Sequence, residues 1–212
     1  MKLDRLAIVV GHTPQTGGAV AADGSTEYEL MSGFADLLLA HVAGTAQTKV
    51  YRHGYAGSYW RTVHPTIKAI NDWGADLMIE LHFNSVGREH PGYHQGGCIH
   101  YGNGDTGAES AKGRAWGSAL AGAVEVLDVE SWGSKPMDRS WNAPPNRPPR
   151  RSSIGRLLPN GPELYMLTRT RCPAILMEAF NGRNPGHVSA FLDRRATFAR
   201  ALSYRLSATR TA

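Results

Sequence analysis

Much that would settle the class of this chain at a glance is absent from it. In 212 residues there are only two cysteines, Cys98 and Cys172. They make neither a disulfide framework nor a C-x-x-C pair, and two independent buried thiols are the expectation. No apolar run approaches the roughly 18–20 residues that a membrane span requires, which excludes an integral membrane segment. Leu6 to Val10 is a short apolar stretch that ends in Gly11-His12. A secretory signal needs a longer run and a small-residue cleavage site, so no signal peptide is read and the chain is expected to be soluble. Internal repeats are missing as well. What is present is a hydrophobic fraction of 42%, too high for a disordered chain, with 19% charged residues. The net charge of +5 favours anionic surroundings such as nucleic acid, phospholipid or a wall polymer, without choosing among them.

Strands and helices alternate along the sequence. Leu6-Ala7-Ile8-Val9-Val10 is apolar without alternation, the pattern of a strand buried on both faces. Ser25-Thr26 opens a helix with Leu30, Phe34, Leu37, Leu38 and Val42 at helical spacing. Thr48–Tyr51, Leu77–Leu81, Gly96–Tyr101, Leu164–Leu167 and Ala174–Met177 read as further strands. Tyr59–Trp73, Ala108–Leu127 and Pro185–Leu206 read as helices. Trp132–Pro162, rich in proline and arginine, is expected to be a surface insertion that could border a site. The pattern predicts a single α/β domain over residues 1–212, with a twisted, mostly parallel or mixed sheet of about six strands and helices on both faces.

Three strand candidates end in, or are followed at once by, a residue able to bind a metal or a proton: His12, His82 and Glu178. Ligands of an open parallel sheet bind outside the carboxyl ends of its strands, so these side chains are expected on one rim. Each taken alone has a structural reading; the coincidence of three favours a site. Thr26 and Glu29 form a capping-box pattern that occupies Glu29 at the helix start. Glu27 is then either a carboxylate favoured by the helix dipole or one free to turn toward His12. With His12 and His82 it completes a His₂Glu set, a common ligand set for catalytic zinc. Glu178, behind an apolar run, is expected to be partly desolvated, which raises a carboxyl pKa toward the range of a general base.

These residues resemble a known family, the zinc-dependent N-acetylmuramoyl-L-alanine amidases of the amidase 3 type. The resemblance lies in Gly11-His12 after the first strand, Glu27-Tyr28-Glu29-Leu30 at the helix start, Leu81-His82-Phe83-Asn84-Ser85, and Pro173-Ala174-Ile175-Leu176-Met177-Glu178-Ala179-Phe180-Asn181. It implies zinc held by His12, Glu27 and His82, with Glu178 catalytic. The expected reaction is hydrolysis of the amide between N-acetylmuramic acid and L-alanine in peptidoglycan. Such a compact domain, with no appended wall-binding repeat, resembles phage-encoded lytic enzymes, which act at the cell wall and stay in the cytoplasm until released. Asn84, Arg52 and Asn181 are candidate substrate contacts. Glu80 departs from the small residue usual at its position; it either orients a ligand from behind or pairs with an arginine.

The remaining features carry less. His53, His64, His90, His94 and His100 are expected at the surface or in hydrogen bonds, since Pro91 and Gly92 place the His90/His94 pair on a loop. Neither cysteine has a base pattern beside it. The basic stretch Arg147–Arg156 lacks aromatic interleaving, so nucleic acid is not an expected partner. Two alternatives stay open: another zinc amidohydrolase or carboxypeptidase acting on a different acyl-amino bond, and a catalytically idle wall-binding or virion component of the same fold.

Overall fold

The computed structural model describes residues 1–100, 108–136, 150–151, 157–158 and 164–211. Eight strands and five helices follow one another along the chain: β1 (Arg5–Val10), α1 (Glu27–Val42), β2 (Gln47–Arg52), α2 (Tyr59–Trp73), β3 (Leu77–Asn84), β4 (Gln95–His100), α3 (Ala108–Ala121), β5 (Glu130–Pro136), β6 (Arg150–Arg151), β7 (Leu157–Leu158), α4 (Tyr165–Arg169), β8 (Ala174–Asn181) and α5 (Pro185–Thr211). Short 3₁₀ segments precede β4 (Pro91–His94) and β5 (Gly122–Leu127).

Six strands form one sheet in the order β2-β1-β3-β8-β4-β5, and β6 pairs with β7 in a separate two-stranded ribbon. β2, β1, β3 and β8 run parallel, while β4 meets β8 antiparallel and is itself parallel to β5. The sheet is therefore mixed, with four strands delivering their carboxyl ends to one rim. The odd and even positions of its buried strands face two cores. Leu6, Ile8 and Val10 of β1, with Leu77, Ile79 and Leu81 of β3, pack under α1, α3 and α5. Ala7, Val9, Met78 and Leu176 pack under α2 and α4. Burial on both faces explains the unbroken apolar runs.

Two expectations from sequence need correction. Leu164–Leu167 is not a strand: Tyr165–Arg169 is a one-turn helix that buries Met166 and Leu167 against α2. The expected insertion at 132–162 begins too early, because Glu130–Pro136 is the outer strand β5. Of the rest of that segment, β6 and β7 are short strands, and the remainder lies outside the described residues. Cys98, buried, and Cys172, partly so, do not pair with each other.

Candidate active site

The rim gathers its groups through local features that the sequence dictates. β1 ends at Val10, and Gly11 continues its pairing by donating its N–H to the Leu81 carbonyl. His12 then takes the left-handed conformation, φ 62°, a backbone state that non-glycine residues seldom adopt and that clusters at functional sites. Glycine is required beside both imidazoles. A Cβ on Gly11 would lie 2.3 Å from the His82 ring, and one on Gly18, itself at φ +77°, would lie 2.5 Å from the His12 ring.

Glu27 arrives from the opposite core. Thr26 caps α1 in a complete capping box with Glu29, which leaves Glu27 as the first helical residue. Its side chain is buried. Oε1 lies 2.7 Å from His82 Nδ1 and accepts the Phe83 N–H, while Oε2 lies 3.1 Å from His12 Nε2 and accepts the Ala19 N–H. Burial opposes the charge, but the hydrogen bonds from His12 and His82 prevail and hold this carboxyl well below the usual range. The His12 and His82 rings stand edge to face, with centroids 5.0 Å apart. One donor atom from each of His12, Glu27 and His82 falls within 4.8 Å of the others.

His82 and Glu178 occupy the same register position on β3 and β8. With Glu80 they project on the α2 side of the sheet, as the alternation from Met78 and Leu176 requires. Burial raises the Glu178 carboxyl to about 7, and the negative charges of Glu27 and Glu80 add to the rise while His82 opposes it. Its Oε2 is shielded from solvent and has no hydrogen-bond partner among the described residues. Glu80 is buried, with Oε1 3.6 Å from His82 Nε2 and 3.7 Å from His53 Nε2. Burial works against its ionisation, yet the two histidines bring its pKa down to about 2. Burial likewise disfavours a charged His82, but Glu27 and Glu80 lift its pKa well above the ordinary 6.5. A cleft of about 460 Å³ opens beside His12, Glu80 and His82.

Other expected contacts lie elsewhere. Arg52 is turned onto α1, where it donates to Ser32 and lies 2.7 Å from Asp36. Asn181 is fully buried: its Nδ2 donates to the carbonyls of Val86 and Tyr93, and its Oδ1 accepts the N–H groups of Val86 and Arg183. It ties the segments after β3 and β8 together and has nothing left to offer a substrate. Asn84 follows a register shift in β3, and its Nδ2 faces the Gly92 carbonyl. His53 makes a hydrogen bond, to Thr66, as expected of it, but it is buried and lines the cleft, a role not assigned to it from sequence. It follows β2 as His12 follows β1, so the strand-end signal was there to be read. His90 caps the Pro91–His94 turn and His100 bonds Ser134, the hydrogen-bonding roles expected of them.

The donor chemistry fits a metal ion. Two imidazoles and one carboxylate converge, and among the described residues no lysine or arginine pairs with the buried Glu27 carboxylate. A mixed nitrogen–oxygen set of this kind suits a borderline divalent cation.

The chain is similar in structure to the catalytic domain of the CD27L endolysin targeting Clostridia difficile, at 19% identity over 96% of each chain with a TM-score of 0.69. It is also similar to the N-acetylmuramoyl-L-alanine amidase AmiC2 of Nostoc punctiforme, at 14% identity over 98% of this chain and 95% of that one, TM-score 0.65. A third likeness is to the amidase Ami1 from Mycobacterium smegmatis, at 14% identity over 98% and 97%, TM-score 0.65. These identities show a shared fold. No curated protein matches the sequence significantly. A family model described as N-acetylmuramoyl-L-alanine amidase matches residues 6–203, nearly the whole length, and the chain belongs to that family.

Proposed function

We propose that this chain is a zinc-dependent N-acetylmuramoyl-L-alanine amidase, hydrolysing the amide between the lactyl group of N-acetylmuramic acid and L-alanine of the stem peptide. The observation that carries the reading is the convergence of His12, Glu27 and His82 with Glu178 in register beside His82. Those three residues would hold the zinc. When bound, zinc supplies Lewis acidity, which lowers the pKa of water toward 7 and polarises a carbonyl.

The protein's own groups do the rest. Glu178, whose burial keeps its proton affinity near that of neutral water chemistry, accepts a proton from the attacking water and returns it to the departing amine nitrogen. The affinity suits both halves of that exchange, because a carboxyl at the ordinary 4.5 would be a weaker base and a poorer store for the proton. Glu80 and Glu27 fix the orientation of the His82 ring from two sides. The reading places the action at the cell wall, on peptidoglycan, with a phage-encoded lytic role as its narrower form.

Mass analysis of digested peptidoglycan tests it. New L-alanine amino termini without new reducing sugar ends are expected. Cleavage at a different acyl-amino bond would point to a carboxypeptidase or another amidohydrolase, and no cleavage by zinc-loaded protein would point to an idle wall-binding component.

A further inference from the structure

The cleft beside the metal ligands is lined unlike the rim itself. Tyr55 and Tyr59 border it and are 55% and 48% exposed. The Tyr59 ring stacks on Tyr165 at 5.4 Å between centroids, and Tyr165 stands edge-on to Trp60 at 4.8 Å, so Tyr59 is backed by a firm aromatic layer. Within the same cleft His53, only 4% exposed, presents an Nε2 that makes no direct hydrogen bond among the described residues and lies 3.7 Å from Glu80 Oε1. Among the described residues, no lysine or arginine lines the cleft, and its carboxylate is Glu80.

An apolar face set against a planar ring, with a buried nitrogen to receive a hydroxyl or an acetamido group, matches the chemistry of a neutral sugar. A buried nitrogen held only by so long a contact with a carboxylate still has a hydrogen bond to make, which a ligand can supply. A stem peptide fits less well, because its carboxylates would meet Glu80 with no cation in the lining to compensate. Cations stand instead past the ends of β3 and β8, where Arg88 and Arg183 are exposed.

We propose that this cleft is the glycan subsite: it holds an uncharged N-acetylated sugar on the acyl side of the scissile amide, with Tyr55 and Tyr59 against the C–H face of the ring and His53 Nε2 as a hydrogen-bond partner. The assignment rests on the amidase reading above and adds to it which part of the substrate lies on which side of the metal ligands.

Two measurements on zinc-loaded protein test it. The first compares a disaccharide-bearing stem peptide with the same peptide carrying only a lactoyl group, which keeps the scissile amide and removes the sugars. In Tyr55→Ala and Tyr59→Ala the ratio of kcat/KM between these substrates is expected to fall about fivefold or more. Tyr204→Ala, at a surface tyrosine of α5 that is 75% exposed, is expected to keep the wild-type ratio. An unchanged ratio in both cleft variants would overturn the assignment. The second titrates a neutral N-acetylglucosamine tetramer and follows the protein by NMR. Shifts at Tyr55, Tyr59 and His53 are expected, and shifts absent there would overturn the proposal. Failure of the wild-type protein to cleave either substrate counts against the amidase reading alone, and the titration still decides the subsite.

Discussion

His82 on β3 and Glu178 on β8 are register partners on adjacent parallel strands and share one face of the sheet. An imidazole of the candidate metal set and a desolvated carboxyl are therefore held side by side by backbone hydrogen bonds of the central strands, and not by loops. Much of the behaviour expected of this protein follows from that adjacency.

On the proposed mechanism, replacing Glu178 by alanine removes the proton acceptor and leaves the three candidate metal donors intact. Turnover is expected to fall about 10²- to 10⁴-fold, with zinc content per chain unchanged by atomic absorption. Wild-type turnover in this variant would take Glu178 out of the reaction.

Glu178 also leaves a mark on stability. Its folded pKa, about 7, lies above the ordinary 4.5. A carboxyl raised on folding contributes stability fully present below about pH 4.5 and lost as the pH climbs through 7. Glutamine mimics the protonated acid at every pH. In metal-free protein, where no cation alters the balance, Glu178→Gln is expected to gain on wild type by roughly 2–3 kcal/mol between pH 5 and pH 8. Denaturant melts at the two pH values check this, and a constant difference would contradict it.

Gly11 tests how closely the imidazole is fitted. A Cβ there meets the His82 ring at 2.3 Å, so Gly11→Ala must displace the ring from its place beside Glu27. Zinc affinity, measured by competition with a chelating dye, is expected to fall about tenfold or more. Circular dichroism should still report a folded sheet.

Asn181 should behave as a structural residue. Its four side-chain hydrogen bonds join the segments after β3 and β8, and Asn181→Ala leaves the buried Tyr93 carbonyl and part-buried groups of Val86 and Arg183 without them. A loss of roughly 2–4 kcal/mol is expected in denaturant melts. A stable variant with a raised KM would restore Asn181 to the substrate.

The gathering of the candidate residues was largely legible in the sequence because parallel strands announce themselves as unbroken apolar runs and their carboxyl ends meet at one rim. That logic put His12, His82 and Glu178 on one rim, where the structure has them, and the capping box of Thr26 and Glu29 isolated Glu27. His53 obeys the same strand-end rule but stood among nine histidines with no motif to mark it. β5 was hidden for a different reason. Glu-Ser-Trp-Gly-Ser-Lys-Pro is a polar outer strand with a terminal proline, which edges tolerate and apolar periodicity misses. Leu164–Leu167 is too short for its period to separate strand from helix. Asn181 was misjudged because the register shift between His82 and Asn84 cannot be seen in one dimension.

Zinc stoichiometry tests the metal centre most directly. By equilibrium dialysis the wild-type chain should hold close to one zinc, and His12→Ala, Glu27→Ala and His82→Ala should each lose it while remaining folded. One tightly held zinc in all three variants would show that these side chains do not form the metal centre.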